Sequence, residues 1–207
     1  VLGDLFEYWA GDDDLDDPFN AKICAGLQRL SQSDVPLFFM AGNRDFLAGD
    51  GFASKAGLTL LPDPALVEIA GASVLLMHGD TLCTDDDAYQ MFRTEVRSPE
   101  WRKSFLALPL DQRKAKIEAL RQESEAQKRA KPAEIMDVNP AAVLQVLTSH
   151  RCTRLIHGHT HRPALHRLAV AGEACERWVL PDWYESGGYL ACDASGCRLL
   201  EWPPAAV

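Results

Sequence analysis

The chain has 207 residues, 47% of them hydrophobic and 25% charged, with a formal net charge of −9. That length and apolar content suit one domain with a sizeable core and at most an inserted subdomain. The acidic balance argues against a general nucleic-acid binder. No apolar run approaches the roughly 18 residues needed to cross a bilayer, so any membrane contact is expected to be peripheral.

In chain order, VLGDLFEYW reads as the end of a buried strand running into a loop at Gly3-Asp4, which implies that earlier sequence lies upstream. Ile23, Leu27 and Leu30 recur at helical spacing within 19–33. VPLFFMAGNRD (35–45) reads as a buried strand broken by Gly42, FASKAG (52–57) as a short helix closed by Gly57, and LTLLP as a short strand. ALVEIAGASVLLMHGD reads as two strands turning at Gly71-Ala72, the second ending at His78-Gly79-Asp80.

Helical spacing returns around Tyr89–Val96, Arg102–Leu108 and Arg113–Arg129, punctuated by Pro99 and Pro109. Between 89 and 131 the basic residues are Arg93, Arg97, Arg102, Lys103, Arg113, Lys114, Lys116, Arg121, Lys128, Arg129 and Lys131, against fewer acids. An acidic protein thus carries a basic helical insert. Met91, Phe92, Trp101, Phe105, Leu106, Leu108 and Leu110 give it apolar surface. On the residues alone, an ordinary helical cap with its apolar face in the core is the better account of them. Asn139 before Pro140 predicts an N-capped helix. TRLIHGHTH predicts a buried strand entering a loop, and 164–202 alternates in short strands with Gly187-Gly188 and Ser195-Gly196 as turns. Cys24, Cys83, Cys152, Cys175, Cys192 and Cys197 form no CxxC pair and are expected to be mostly reduced thiols in a cytosol.

Apolar strands therefore end repeatedly in polar clusters: Gly3-Asp4, Gly42-Asn43-Arg44-Asp45, His78-Gly79-Asp80, and Gly158-His159-Thr160-His161. In layered α/β proteins, ligands collect at the carboxyl ends of strands. Each cluster alone has an ordinary explanation as a turn, a capped loop or a solvated strand edge. Together they offer carboxylate, amide and imidazole donors without thiolate. That set suits Mn²⁺, Fe²⁺ or Zn²⁺ at open catalytic positions. Two adjacent metals can clamp the attacking and leaving oxygens of a phosphoryl centre, and Asp4 is the candidate bridge. Period-2 spacing puts His159 and His161 on one side of an extended segment, with His157 packed before the strand end.

GDLFE, GNRDF, MHGDTLCTDD and GHTHRPA resemble the blocks of calcineurin-like metallophosphoesterases. Gly-Asn-Arg-Asp in place of that superfamily's usual Gly-Asn-His, together with IMDVN and IHGHTHRP, is similar to the UDP-2,3-diacylglucosamine pyrophosphohydrolases of bacterial lipid A biosynthesis, from Val1 to about Pro203. The resemblance implies an α/β fold: a four-layer α/β/β/α sandwich from 1–84 and 135–207, with a helical lid at 85–134 for the lipid substrate.

It also implies two Mn²⁺ ions per full-length subunit. Asp4 would bridge them, Asn43, His78 and His159 would complete one site, and His161 would belong to the other. The remaining family ligands, an Asp-x-His block on the first strand, are expected upstream of Val1, as in a fragment of a normal enzyme rather than a degenerate homologue. A chain without that block is expected to lack a central strand, to bind one metal poorly and to be nearly inactive.

Asp4, Asn43 and Arg44 take catalytic roles by the same resemblance. Asn43 and Arg44 would touch the diphosphate, although an Arg44–Asp45 salt bridge is an alternative for Arg44. Asp86, Tyr89, Arg121, Ser124, Lys131 and His159 would also contact substrate, as would Lys128, where the family has Asn. Cys83 is read as packing.

The implied reaction is water attack on the UMP-side α-phosphorus, giving UMP and 2,3-diacylglucosamine 1-phosphate. It is expected in the cytoplasm, peripheral to the inner membrane of a Gram-negative bacterium. No nucleic-acid or protein partner is expected. The alternatives are another calcineurin-like phosphodiesterase and a non-catalytic scaffold of the same fold.

Overall fold

The computed structural model describes residues 1–130 and 135–202, with backbone alone for 125–130. The chain divides into two units: Val1 with 3–62 and 85–136, and Leu2 with 63–84 and 137–207. Both are mixed α/β, as expected from the sequence.

The first unit contains α1 (Pro18–Ser31), β1 (Phe38–Met40), α2 (Asp50–Ala56), β2 (Thr59–Leu61), α3 (Asp87–Val96), α4 (Pro99–Leu106) and α5 (Leu110–Ala130). Sequence chemistry sets the helix ends. Asp17 accepts the Phe19 and Asn20 N–H groups ahead of α1, with Pro18 at its first position. Ser98 and Pro99 repeat the device for α4. Gly57 closes α2 at φ 69°, a left-handed cap that favours glycine.

β1 pairs in parallel with β2, while Val1 lies along its other edge through Met40 N–H to Val1 O at 2.9 Å. The expected strand over 35–45 is only three residues long, Phe38–Met40. From Gly42 the backbone turns to donate to a side chain rather than to a neighbouring strand.

Phe6, Trp9, Phe39 and Phe52 form the aromatic centre of this unit's core, with ring centroids 4.6–5.5 Å apart between neighbours. Phe105 belongs to the same core, and Trp101, Leu108 and Ile117 pack on it. These residues of the helical insert are therefore packing rather than the open apolar surface expected of them. Met91, Phe92 and Leu106 do stay exposed.

Four of the five aspartates in the run GDDDLDD have specific partners or caps. Asp12 accepts from Gly49 N, Gly51 N and Trp9 Nε1. Asp13 pairs with Arg113 and Asp14 with Lys114, while Asp17 caps α1. The Arg113 guanidinium is almost wholly buried and also donates to the carbonyls of Ala10 and Leu108. This pairing holds the Asp13 carboxyl below its usual pKa range.

The second unit contains β3 (Ala65–Ile69), β4 (Ala72–Met77), α6 (Pro140–His150), β5 (Arg154–His157), β6 (Ala164–Val170), β7 (Glu173–Val179), β8 (Gly187–Asp193) and β9 (Gly196–Trp202). Its main sheet runs β3-β4-β5-β7-β6, with β4, β5 and β7 parallel at the centre. Strand alternation divides two apolar layers between the faces. Leu75, Leu155 and Cys175 pack with Val143 and Leu147 of α6, which Asn139 caps as predicted. Val74, Ile156 and Trp178 pack with Leu2, Leu190 and Leu199, two of these from the β8–β9 hairpin.

Two tail expectations change. Gly187-Gly188 opens β8 instead of forming a turn, and a Cβ at Gly187 would stand 2.9 Å from the Trp183 ring. Cys192 and Cys197, register partners across the hairpin, form a disulfide, whereas the other four cysteines are buried and outside any disulfide.

Arg113→Ala should lower stability by about 2–4 kcal/mol, since it opens a cavity and strips two carbonyls of a donor. The loss is expected in urea or thermal unfolding, and Arg113→Lys should recover only part of it.

Candidate active site

In the first unit the site residues sit on two loops knitted by one carboxylate. Asp45 is fully buried. Its oxygens accept from Asp4 N at 3.2 Å, Leu5 N at 2.7 Å and Gly42 N at 2.7 Å, and Phe6 N lies at 3.4 Å. Asp4 in turn accepts the Arg44 N–H at 2.9 Å, and Arg44 Nε is 3.7 Å from its other oxygen. Asn43 stands half-buried on the same loop.

Asp45 is engaged by backbone N–H groups, and Arg44 pairs with Asp4 and Glu7. Glu7 also accepts from Arg121 Nη2 at 3.0 Å. Neither Asp45 nor Glu7 was singled out from sequence as a site residue. The available signal was position, since both lie inside the motif blocks GNRDF and GDLFE.

In the second unit, His78 follows β4 and His159 follows β5, and these strands are register neighbours. Gly158 N donates to His78 O at 2.9 Å, which joins the two loops. The two imidazole rings are 5.1 Å apart between centroids, and their ligand nitrogens lie within 4.8 Å. His78 is buried, with Nδ1 2.7 Å from Leu2 O. A carbonyl there accepts an Nδ1 proton, which leaves Nε2 as the lone-pair nitrogen. The donor set is carboxylate, amide and imidazole, which fits a divalent transition metal.

His157 lies beneath these loops, fully buried. Its Nδ1 lies 2.9 Å from Gly158 O, and its Nε2 accepts from Arg177 Nη1 at 3.1 Å. Burial, with a further push from the Arg177 cation, lowers its pKa to about 4 despite the opposing pull of the Gly158 carbonyl. The ring also explains Gly79. A Cβ there would stand 2.8 Å from His157 Nδ1, and φ is 117°.

Backbone strain concentrates at the motif residues. Asp4, His159 and His161 adopt φ of 55°, 65° and 53°, a left-handed region uncommon for side-chain-bearing residues. The expectation that His159 and His161 share one side of an extended segment fails for this reason. β5 ends at His157 and the chain then coils. His161 Nδ1 instead lies 3.3 Å from Asp182, with its ring 5.8 Å from that of Tyr184.

Among the expected substrate contacts, Asp86 caps α3 by accepting the Tyr89 N–H at 3.1 Å, and Tyr89 is half-buried. Arg121 and the exposed Ser124 lie on α5. Lys131, and the Lys128 side chain, lie outside the described residues. The insert's basic residues are partly committed elsewhere. Arg97 and Arg102 donate to the Gly42 and Phe46 carbonyls, and Arg113 and Lys114 hold the acidic run. Cys83 packs in the second unit's core, as expected.

In each unit these loops carry oxygen or imidazole donors at strand ends. A model of the calcineurin-like phosphoesterases matches residues 1–163, and the chain belongs to that family. Its relatives narrow the comparison. It is 51% identical over 207 residues to UDP-2,3-diacylglucosamine hydrolase of Aromatoleum aromaticum, covering all of this chain and 82% of that one. It is 47% identical over 203 residues to the protein of that name from Enterobacter, at 98% and 84% coverage. The Aeromonas hydrophila protein of that name is 48% identical over 199 residues, at 96% and 82%.

Asp45→Ala should orphan three close backbone donors and lower stability by about 3–5 kcal/mol in chemical denaturation. Asp45→Asn, which keeps one acceptor oxygen, should lose less. His157 stays neutral in the fold but titrates near 6.5 when unfolded. Its contribution is therefore complete above pH 6.5 and is lost as pH falls toward 4. Urea unfolding at pH 7 and pH 5 should differ by about 2 kcal/mol from this group, a part that His157→Gln removes.

Proposed function

We propose that the protein hydrolyses the diphosphate of UDP-2,3-diacylglucosamine, releasing UMP and 2,3-diacylglucosamine 1-phosphate for lipid A synthesis. The observation that carries this reading is identity near one half, along almost the whole chain, to relatives of that name in the calcineurin-like phosphoesterase family.

Asp4, Asn43, His78 and His159 would hold one divalent metal, and Asp4 with His161 would contribute to a second. Manganese is the proposed ion. Metal held there supplies Lewis-acid activation of water and of the phosphate it attacks.

The chain's own residues supply the rest. The Asp45 network fixes Asp4 and the Asn43–Arg44 backbone before substrate arrives, so little reorganisation is left for the reaction. The Leu2 carbonyl keeps His78 in one tautomer. Arg44 binds the diphosphate and stabilises charge gathering on the departing phosphate as the bond between the α-phosphorus and the bridging oxygen breaks. Arg121, Ser124 and Lys131 bind the glucosamine phosphate and acyl region, Lys128 adds a contact there, and Asp86, Tyr89 and His159 complete the substrate contacts. The helices of 85–134 act as the lipid-facing lid. Exposed Met91, Phe92 and Leu106 give it an apolar surface for acyl chains and for peripheral contact with the cytoplasmic face of the inner membrane.

The decisive experiment is turnover of UDP-2,3-diacylglucosamine in ¹⁸O-water. Label should enter UMP, and a chelator should abolish the reaction until Mn²⁺ is restored. His78→Ala should cost about 100-fold in kcat/KM. Label in the sugar phosphate, or turnover indifferent to chelation, would overturn the reading.

A further inference from the structure

Two of the cations assigned to substrate meet on one oxygen. Glu7 Oε2 accepts from Arg44 Nη1 and from Arg121 Nη2. Arg44 lies on the loop after β1, and Arg121 lies on α5, 77 residues later in the sequence. Two guanidinium groups repel, and both are long side chains with much rotamer freedom. A carboxylate between them cancels the repulsion and leaves each planar fork with further N–H donors.

Glu7 is half-exposed at 49%. The insert is tied to the Arg44 loop independently of Glu7, by Arg97 at the end of α3 donating to Gly42 O and Arg102 of α4 donating to Phe46 O.

Resting on the function proposed above, we infer that Glu7 is a positioning residue: it holds Arg44 and Arg121 together as one two-guanidinium site for the diphosphate of the substrate. A single guanidinium would serve any phosphodiester. A held pair selects for a group carrying charge on two adjacent phosphates. Glu7 therefore acts on substrate through the arginines, and on the diphosphate class in particular.

The test measures inorganic pyrophosphate binding by calorimetry on the metal-loaded enzyme, and steady-state kinetics with UDP-2,3-diacylglucosamine. Glu7→Ala should weaken pyrophosphate binding and raise KM by about 10-fold each, with kcat changed less than KM. Glu7→Gln, which keeps an acceptor oxygen but not the charge, should fall between. Adding Glu7→Ala to Arg121→Ala should cost little more than Arg121→Ala alone, since the two act as one unit. The melting temperature should stay within about 2 °C, as for a surface substitution.

Unchanged or tighter pyrophosphate binding in Glu7→Ala, or full additivity with Arg121→Ala, would overturn the inference. If the wild-type enzyme bound pyrophosphate but left the lipid substrate intact, the proposed substrate would be wrong, while the pyrophosphate series would still decide the role of Glu7.

Discussion

The candidate ligand loops of the first unit depend on a single buried carboxylate. Asp45 accepts backbone N–H groups from two loops that are about forty residues apart in sequence. Its desolvation is offset because each close contact is a hydrogen bond to a charged acceptor, stronger than a neutral one. That arrangement explains why β1 stops at Met40: the next N–H groups serve the carboxylate rather than a sheet. It also explains why Arg44 turns toward Asp4 and Glu7, and it helps hold Asp4 in a left-handed conformation that its own backbone disfavours. Strain at a metal-ligand candidate persists because several hydrogen bonds over-determine it.

The second unit reaches the same end by different means. Parallel pairing of β4 with β5 sets His78 and His159 on adjacent loops, and buried His157 fills the space below. The Arg177 contact and the Gly158 carbonyl fix which nitrogen of His157 carries the proton, so the ring is a rigid neutral spacer rather than a titrating group near neutral pH. Gly79 is required by that ring and not by turn chemistry alone.

Much of this was legible in sequence. Asn139-Pro140 and Gly57 mark helix ends as read, because capping is a local matter, decided within four residues. The motif blocks identified the family because the same loop chemistry recurs with the same spacing. What failed was non-local. The family resemblance put Trp101 and Phe105 on the lid surface although the residues alone favoured core, and the packing of α4 on Phe46 and its neighbours decided for core. The Cys192–Cys197 bridge was missed because it depends on hairpin register, which spacing alone does not set.

The sequence by itself determined the α/β class, the presence of the helices, the loops that carry the candidate ligands and the family. It did so because hydrophobic period, caps and motif spacing are written in neighbouring residues. The tertiary structure alone decided how each charge is used. Asp45 became a backbone acceptor, Arg113 a buried clamp on Asp13, and Glu7 the shared partner of Arg44 and Arg121. An ionisable side chain takes its role from whatever the fold brings within about 3 Å of it, and those partners lie tens of residues away in the chain.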